Sequence, residues 1–283
     1  MQIHNWSWHQ QPIAIAYDTV GTGDSVLLLP ALSTVSSREE MAGVAERLAS
    51  QFQVTTVDLP GFGDSSRLPL IYEPELYRQF LQAFVSAMFD RAIAVVAAGH
   101  SAGYVLQLAP QHLWSKIVLV APTWRGPLPT MGAPPKVAGA VRNLVRSPLV
   151  GQALYWANTT PGFLKLMYGR HVYSDAARLT PEFITHKRDI TQQPGARFAP
   201  AAFVTGGLDP VHSRDEFLAL AQAVEVPMLA IAAANAPPKS KAEMDALGNI
   251  AGVKTQTLSG TLGLHEEFAP QVAAAILPFL HHS

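Results

Sequence analysis

Gly99-His100-Ser101-Ala102-Gly103 follows directly on the apolar run Ala92-Ile93-Ala94-Val95-Val96-Ala97-Ala98. A serine with glycine two residues before and two after, behind a strand and ahead of a helix at 104–110, is spaced for a sharp strand-to-helix turn that carries a nucleophile. Its neighbours must lack bulk, because the turn is strained and a second segment passes close by. Such a turn lifts the hydroxyl clear of the sheet and points the next N–H, that of Ala102, at the same reacting atom. A serine hydroxyl attacks a carbonyl only when a base takes its proton, and an imidazole does this near neutral pH. Of the ten histidines, His265 lies on the right kind of segment, Gly260-Thr261-Leu262-Gly263-Leu264-His265-Glu266-Glu267, between the last strand and the last helix. It is the candidate general base.

The elements that must position these residues alternate. Ile13-Ala14-Ile15-Ala16-Tyr17 reads as an edge strand, and 25–29 as a strand buried on both faces. Helical periodicity runs through Met41, Val44, Leu48 and Phe52; a strand covers 53–58, a helix 74–90, and a further strand 116–120. This alternation predicts an α/β fold, a mostly parallel sheet flanked by helices. From Pro122 the rhythm breaks: 122–135 is rich in proline and glycine, and 136–224 reads as helical without a strand. Strands resume at 226–232 and 253–258, before a helix at 268–280. The expected organisation is a core of 1–123 and 226–283 interrupted by a helical insert, 124–225. Inserts at the carboxyl ends of parallel strands sit where ligands bind.

Five segments carry a resemblance: Leu27-Leu28-Leu29-Pro30-Ala31-Leu32, Asp58-Leu59-Pro60-Gly61-Phe62-Gly63-Asp64-Ser65, Gly99 to Gly103, Val226-Pro227-Met228-Leu229-Ala230-Ile231 and Gly263-Leu264-His265-Glu266-Glu267. In this order, over nearly the whole chain, they resemble the α/β-hydrolase fold superfamily of the capped, serine-nucleophile type. The resemblance implies an α/β-hydrolase sheet with an inserted helical cap, Ser101 as nucleophile and His265 as general base. It also implies the backbone N–H groups of Leu32 and Ala102 as the oxyanion hole. Asp58 and Asp64 read as fixing their own turn, His100 as packing beneath the serine, and Trp124 as a candidate lining of the pocket. Two departures stand out. Pro30-Ala31 replaces a common His-Gly, and neither usual place for the acid holds a carboxylate. Ala232 to Pro238 contains none, and no Asp or Glu occurs between Asp90 and Asp175. The candidate third members are Asn235, which could orient an imidazole without offsetting its charge, and Asp209, where the insert rejoins the core. Exchanging Asp for Asn in a serine protease costs about 10⁴ in turnover.

Composition bounds the alternatives. Of the 283 residues 48% are hydrophobic and 14% charged, enough for a large core, and a net charge of −1 gives no case for nucleic-acid binding. The absence of cysteine removes disulfides, thiolate metal sites and a cysteine nucleophile. No ligand cluster or phosphate-binding loop is present, so neither a metal nor an organic cofactor is expected. Met1-Gln2-Ile3-His4-Asn5-Trp6 lacks the basic-then-apolar pattern of a secretory signal, and the expected location is cytoplasmic. The acid-free interval carries eight basic residues from Arg91 to Arg170. Within it Val137, Val141, Leu144 and Val145 form a stripe beside Arg142 and Arg146, expected to pack on the core with the basic residues solvated. The alternatives are a lipophilic or anionic substrate, or peripheral contact of the basic cap with an anionic membrane. The favoured function is a serine hydrolase cleaving an ester or thioester of a small, mostly apolar substrate through a Ser-His centre with an atypical or missing acid. One alternative is a catalytically weakened ligand- or partner-binding module; another is a cofactor-free haloperoxidase or C–C bond hydrolase.

Overall fold

The computed structural model describes residues 1–281 and centres on one eight-stranded sheet, in the order β1-β2-β4-β3-β5-β6-β7-β8. The strands are β1 (Gln2–Trp8), β2 (Gln11–Val20), β3 (Asp24–Leu29), β4 (Phe52–Val57), β5 (Ile93–Ala98), β6 (Trp114–Val120), β7 (Met228–Ala233) and β8 (Val253–Leu258). From β4 to β8 across the sheet all pairs are parallel, while β1 and β2 run antiparallel to their neighbours. The expected edge strand around Ile13 is therefore interior, and β1 forms the edge. Its hairpin turns at His9-Gln10, both with positive φ, so the Asn-Gly or Asp-Gly signal of such a turn is missing from the sequence.

Two apolar layers cover the sheet. One packs α1 (Ala42–Leu48) and α13 (Ala269–His281) against Val26, Leu28, Val96 and Val118; the other packs α2 (Pro74–Met88) and α3 (Ser101–Leu108) against Leu27, Leu29, Val95 and Leu119. β3, β5 and β6 are central and apolar on both faces, which is why they read as continuous hydrophobic runs. Between β6 and β7 lie α4 (Pro127–Met131), α5 (Pro135–Arg146), α6 (Val150–Ala157), α7 (Pro161–Met167), a π-helical turn at Tyr168–Val172, α8 (Pro181–Thr191), α9 (Phe198–Val204) and α10 (Arg214–Gln222). Prolines open α4, α5, α7 and α8, where a missing N–H costs nothing. α11 (Pro238–Gly248) follows β7, and the short α12 (Leu264–Glu267) follows β8.

The stripe on α5 does not pack on the core. Val137, Val141 and Leu144 face outward, and Ala138 is the buried side of the helix. The arginines point inward instead. Arg142 lies against Gly207, where any Cβ would overlap its guanidinium, and Arg146 donates to the Leu70 carbonyl and covers the Phe198 ring at 5.5 Å. Arg146 thus has an interior acceptor and an aromatic ring, and Arg142 a glycine that leaves it room, on the side opposite to the apolar stripe.

Candidate functional site

A nucleophile turn is recognised by its backbone. The strained, left-handed residue after β5 is Gly99, with φ +51, and Ser101 is not among the residues of positive φ. His100 is already helical at φ −70, ψ −23, and Ser101 is the first residue of α3. The Ser101 side chain is fully buried and donates to the Pro30 carbonyl at 2.6 Å, at the end of β3. A side chain on Gly99 would enter the place expected for the serine, but a Cβ there would stand 2.9 Å from the Ala31 methyl and 3.9 Å from Thr123 Oγ1. The left-handed residue thus stands two positions before Ser101, which opens α3. The Ala102 N–H, expected in the oxyanion hole, instead donates to the Gly99 carbonyl at 3.3 Å, and the N–H following the strained residue is that of His100. Leu32 is buried at the end of the β3 loop. Ser101→Ala is expected to lower stability by about 1 kcal/mol, since it removes one buried hydrogen bond and leaves the Pro30 carbonyl without its donor; urea unfolding measures it.

His265 lies between the last strand and the last long helix, on the short helix α12 where the sequence reads as a loop, and makes no hydrogen bond with Ser101. Its Nε2 donates to Glu40 Oε2 at 3.3 Å, and its Nδ1, the nitrogen left to take a proton, is buried without a hydrogen-bond partner. Glu40 belongs to the 3-10 turn Arg38–Met41 that leads into α1. It is one corner of a buried charge cluster: Lys187 Nζ, from α8, is 2.6 Å from Glu266 Oε1 and 4.0 Å from Glu40 Oε1. Burial raises the Glu40 carboxyl above the usual range, opposed by the hydrogen bond from His265 and the charge of Lys187. Burial works to discharge Lys187, yet the carboxylates of Glu266 and Glu40 outweigh it and hold the ammonium above its ordinary value. Glu267 closes the group, accepting from the Ser174 and Asp175 N–H groups and the Ser174 hydroxyl. Glu40 escaped the sequence reading, although a carboxylate four residues before buried Val44 was its signal.

Neither candidate third member is brought to His265. Asn235 Oδ1 accepts the Gly260 N–H at 3.2 Å and ties β7 to the loop after β8. Asp209 Oδ1 accepts the Gly126 N–H at 2.8 Å and lies 3.4 Å from His100 Nε2; burial pushes its carboxyl up to about 6. His100 packs beneath the turn, donating to the Leu208 carbonyl at 2.8 Å. Asp58 accepts from the Asp64 N–H and pairs with Arg38, which also binds Asp18 and Asp64, and so fixes its own turn. Among the clefts that indent the surface are two of about 160 Å³ each that are lined by neither Ser101 nor His265. One, at the carboxyl end of β6, is bounded by Thr123, Trp124, Arg125, Lys239, Ser240 and Glu243. Trp124 lines it and its indole N–H has no protein partner. Charged side chains and apolar surface share these walls.

The model of a family described as the alpha/beta hydrolase family matches residues 26–245. The chain belongs to the alpha/beta hydrolase family. Solved structures similar to this hydrolase-family chain include a thermophilic esterase from Thermogutta terrifontis, 20% identical with a TM-score of 0.75, covering 99% of this chain and 98% of that one. The enol-lactonase from Burkholderia xenovorans LB400 is 16% identical at a TM-score of 0.72, over 95% and 97% of the two chains. The bromoperoxidase from Bacillus anthracis is 21% identical at 0.70, over 99% and 100%. At these identities the likeness carries the fold. No curated protein matches the chain. The alpha/beta hydrolase fold is thus established, in the structural company of an esterase, a lactonase and a bromoperoxidase.

Proposed function

We propose that this alpha/beta hydrolase family member does not form an acyl-enzyme at Ser101 and acts as a ligand-binding protein built on a hydrolase scaffold. One observation carries the reading: the left-handed turn that presents a nucleophile falls on Gly99, and the Ala31 methyl fills the space of a side chain there. Ester or thioester cleavage through Ser101 and His265 would require the hydroxyl to leave the Pro30 carbonyl and emerge from full burial. It would also require a lone pair of His265 to reach it, and Nδ1 is enclosed without a polar neighbour. The cleft beside Trp124 supports the binding half of the proposal. It lies at the carboxyl ends of the strands, where ligands of such sheets bind.

A fluorophosphonate probe tests the reading, because it reacts with activated serines and with few others. The native chain is expected to label no more than Ser101→Ala does. Stoichiometric labelling that disappears in both Ser101→Ala and His265→Ala would overturn the proposal and restore the serine hydrolase.

A further inference from the structure

The outer surface of the insert is inverted relative to an ordinary solvent-facing helix layer. Val137, Val141 and Leu144 of α5, at i, i+4 and i+7, are 52%, 36% and 47% exposed, while the two arginines of the same helix turn inward. α5 packs against α6, whose outer half shows Val150, Leu154 and Trp156, the last 54% exposed. Leu149, between them, is 85% exposed. Phe163 and Leu166 of α7 continue the series. Single exposed apolar side chains are ordinary; a succession over three consecutive helices marks a surface that meets something apolar.

Charge decides what that is. No carboxylate occurs between Asp90 and Asp175, and exposed Lys136, Lys165 and Arg170 accompany the apolar residues. Helices that present Leu, Val, Phe and Trp to the outside, and that carry cations but no anion of their own, are complementary to an anionic lipid surface. We propose that the outer face of α5, α6 and α7 docks on anionic membranes, with Leu149 and Trp156 entering the acyl boundary. No helix of the described residues is long and apolar enough to cross a membrane, so the contact is interfacial. This inference is independent of what happens at Ser101.

The full chain is to be co-sedimented with vesicles of phosphatidylglycerol and, separately, of phosphatidylcholine, at low and high salt. It should pellet with phosphatidylglycerol at low salt and less at high salt. Of the five tryptophans Trp156 alone is exposed, so a blue shift of its emission, absent in Trp156→Phe, should accompany binding. Val141→Asp with Leu149→Asp, both at exposed positions, should lower the bound-to-free ratio about tenfold or more without changing the circular dichroism. The proposal is overturned if the native chain stays in the supernatant with phosphatidylglycerol at low salt, or if the double variant binds as well as the native chain. It is equally overturned if ultracentrifugation finds a dimer that the same variant dissolves, since the face would then belong to a second copy.

Discussion

Lys187→Met is expected to cost about 3–5 kcal/mol of stability, because it leaves two carboxylates buried without their cation. Glu40 and Glu266 both face the Lys187 ammonium, which is itself almost wholly enclosed. The double change Lys187→Met with Glu266→Gln should recover a good part of the loss, since it removes charge as well as the partner. Urea unfolding of the four members of this cycle measures the coupling. The pH dependence has a definite sign. Burial already raises the Glu40 carboxyl, and losing Lys187 raises it further. An acid with a raised folded-state pKa stabilises below its unfolded value and loses that contribution as pH rises through the folded one. Lys187→Met should therefore regain stability on acidification towards about pH 4.5, relative to the native chain. A variant within about 0.5 kcal/mol of wild type at neutral pH would mean that the cluster is not buried as described.

Gly99→Ala is the second large effect. A methyl group at φ +51 carries a backbone penalty of about 1–2 kcal/mol, and overlap with Ala31 adds about 1–3 kcal/mol. Adding Ala31→Gly should return the packing part and leave the backbone part. The experiment also discriminates between the two registers of the motif. If Ser101 held the strained position, Gly99 would be small for packing alone, and Ala31→Gly would then restore Gly99→Ala in full, with no backbone part left. A double variant with the wild-type unfolding midpoint would sink the register at Gly99.

That register marks where the sequence stopped being legible. β3, β5 and β6 announce themselves as apolar runs, and the break after Val120 announces the helices between β6 and β7, because burial on both faces leaves an unmistakable pattern. Ala97-Ala98-Gly99-His100-Ser101 and Gly99-His100-Ser101-Ala102-Gly103 are both small-x-small-x-small, however. Which one is the turn depends on where β5 lets go of its neighbours, and the Gly99 N–H, still bonded to the Val120 carbonyl, is where it does. The carboxylate partner of His265 was hidden for a different reason. Reading from other triads directs attention to the ends of β6 and β7, whereas Glu40 reaches His265 from the turn after β3, across a tertiary contact that no local pattern encodes. On α5 the apolar period was read correctly and its direction wrongly, because Gly207 and Phe198, distant in sequence, offer the arginines an interior.

His265, Glu266 and Glu267 are successive residues, yet each holds a different part of the molecule: the turn before α1, helix α8, and the segment ahead of Thr180. During synthesis Lys187 leaves the ribosome long before Glu266 does. Until that carboxylate arrives, seating α8 would bury an ammonium whose nearest counter-charge is Glu40, 4.0 Å away and shared with His265. Seating α8 with its ammonium fully paired therefore requires α12 to be in place.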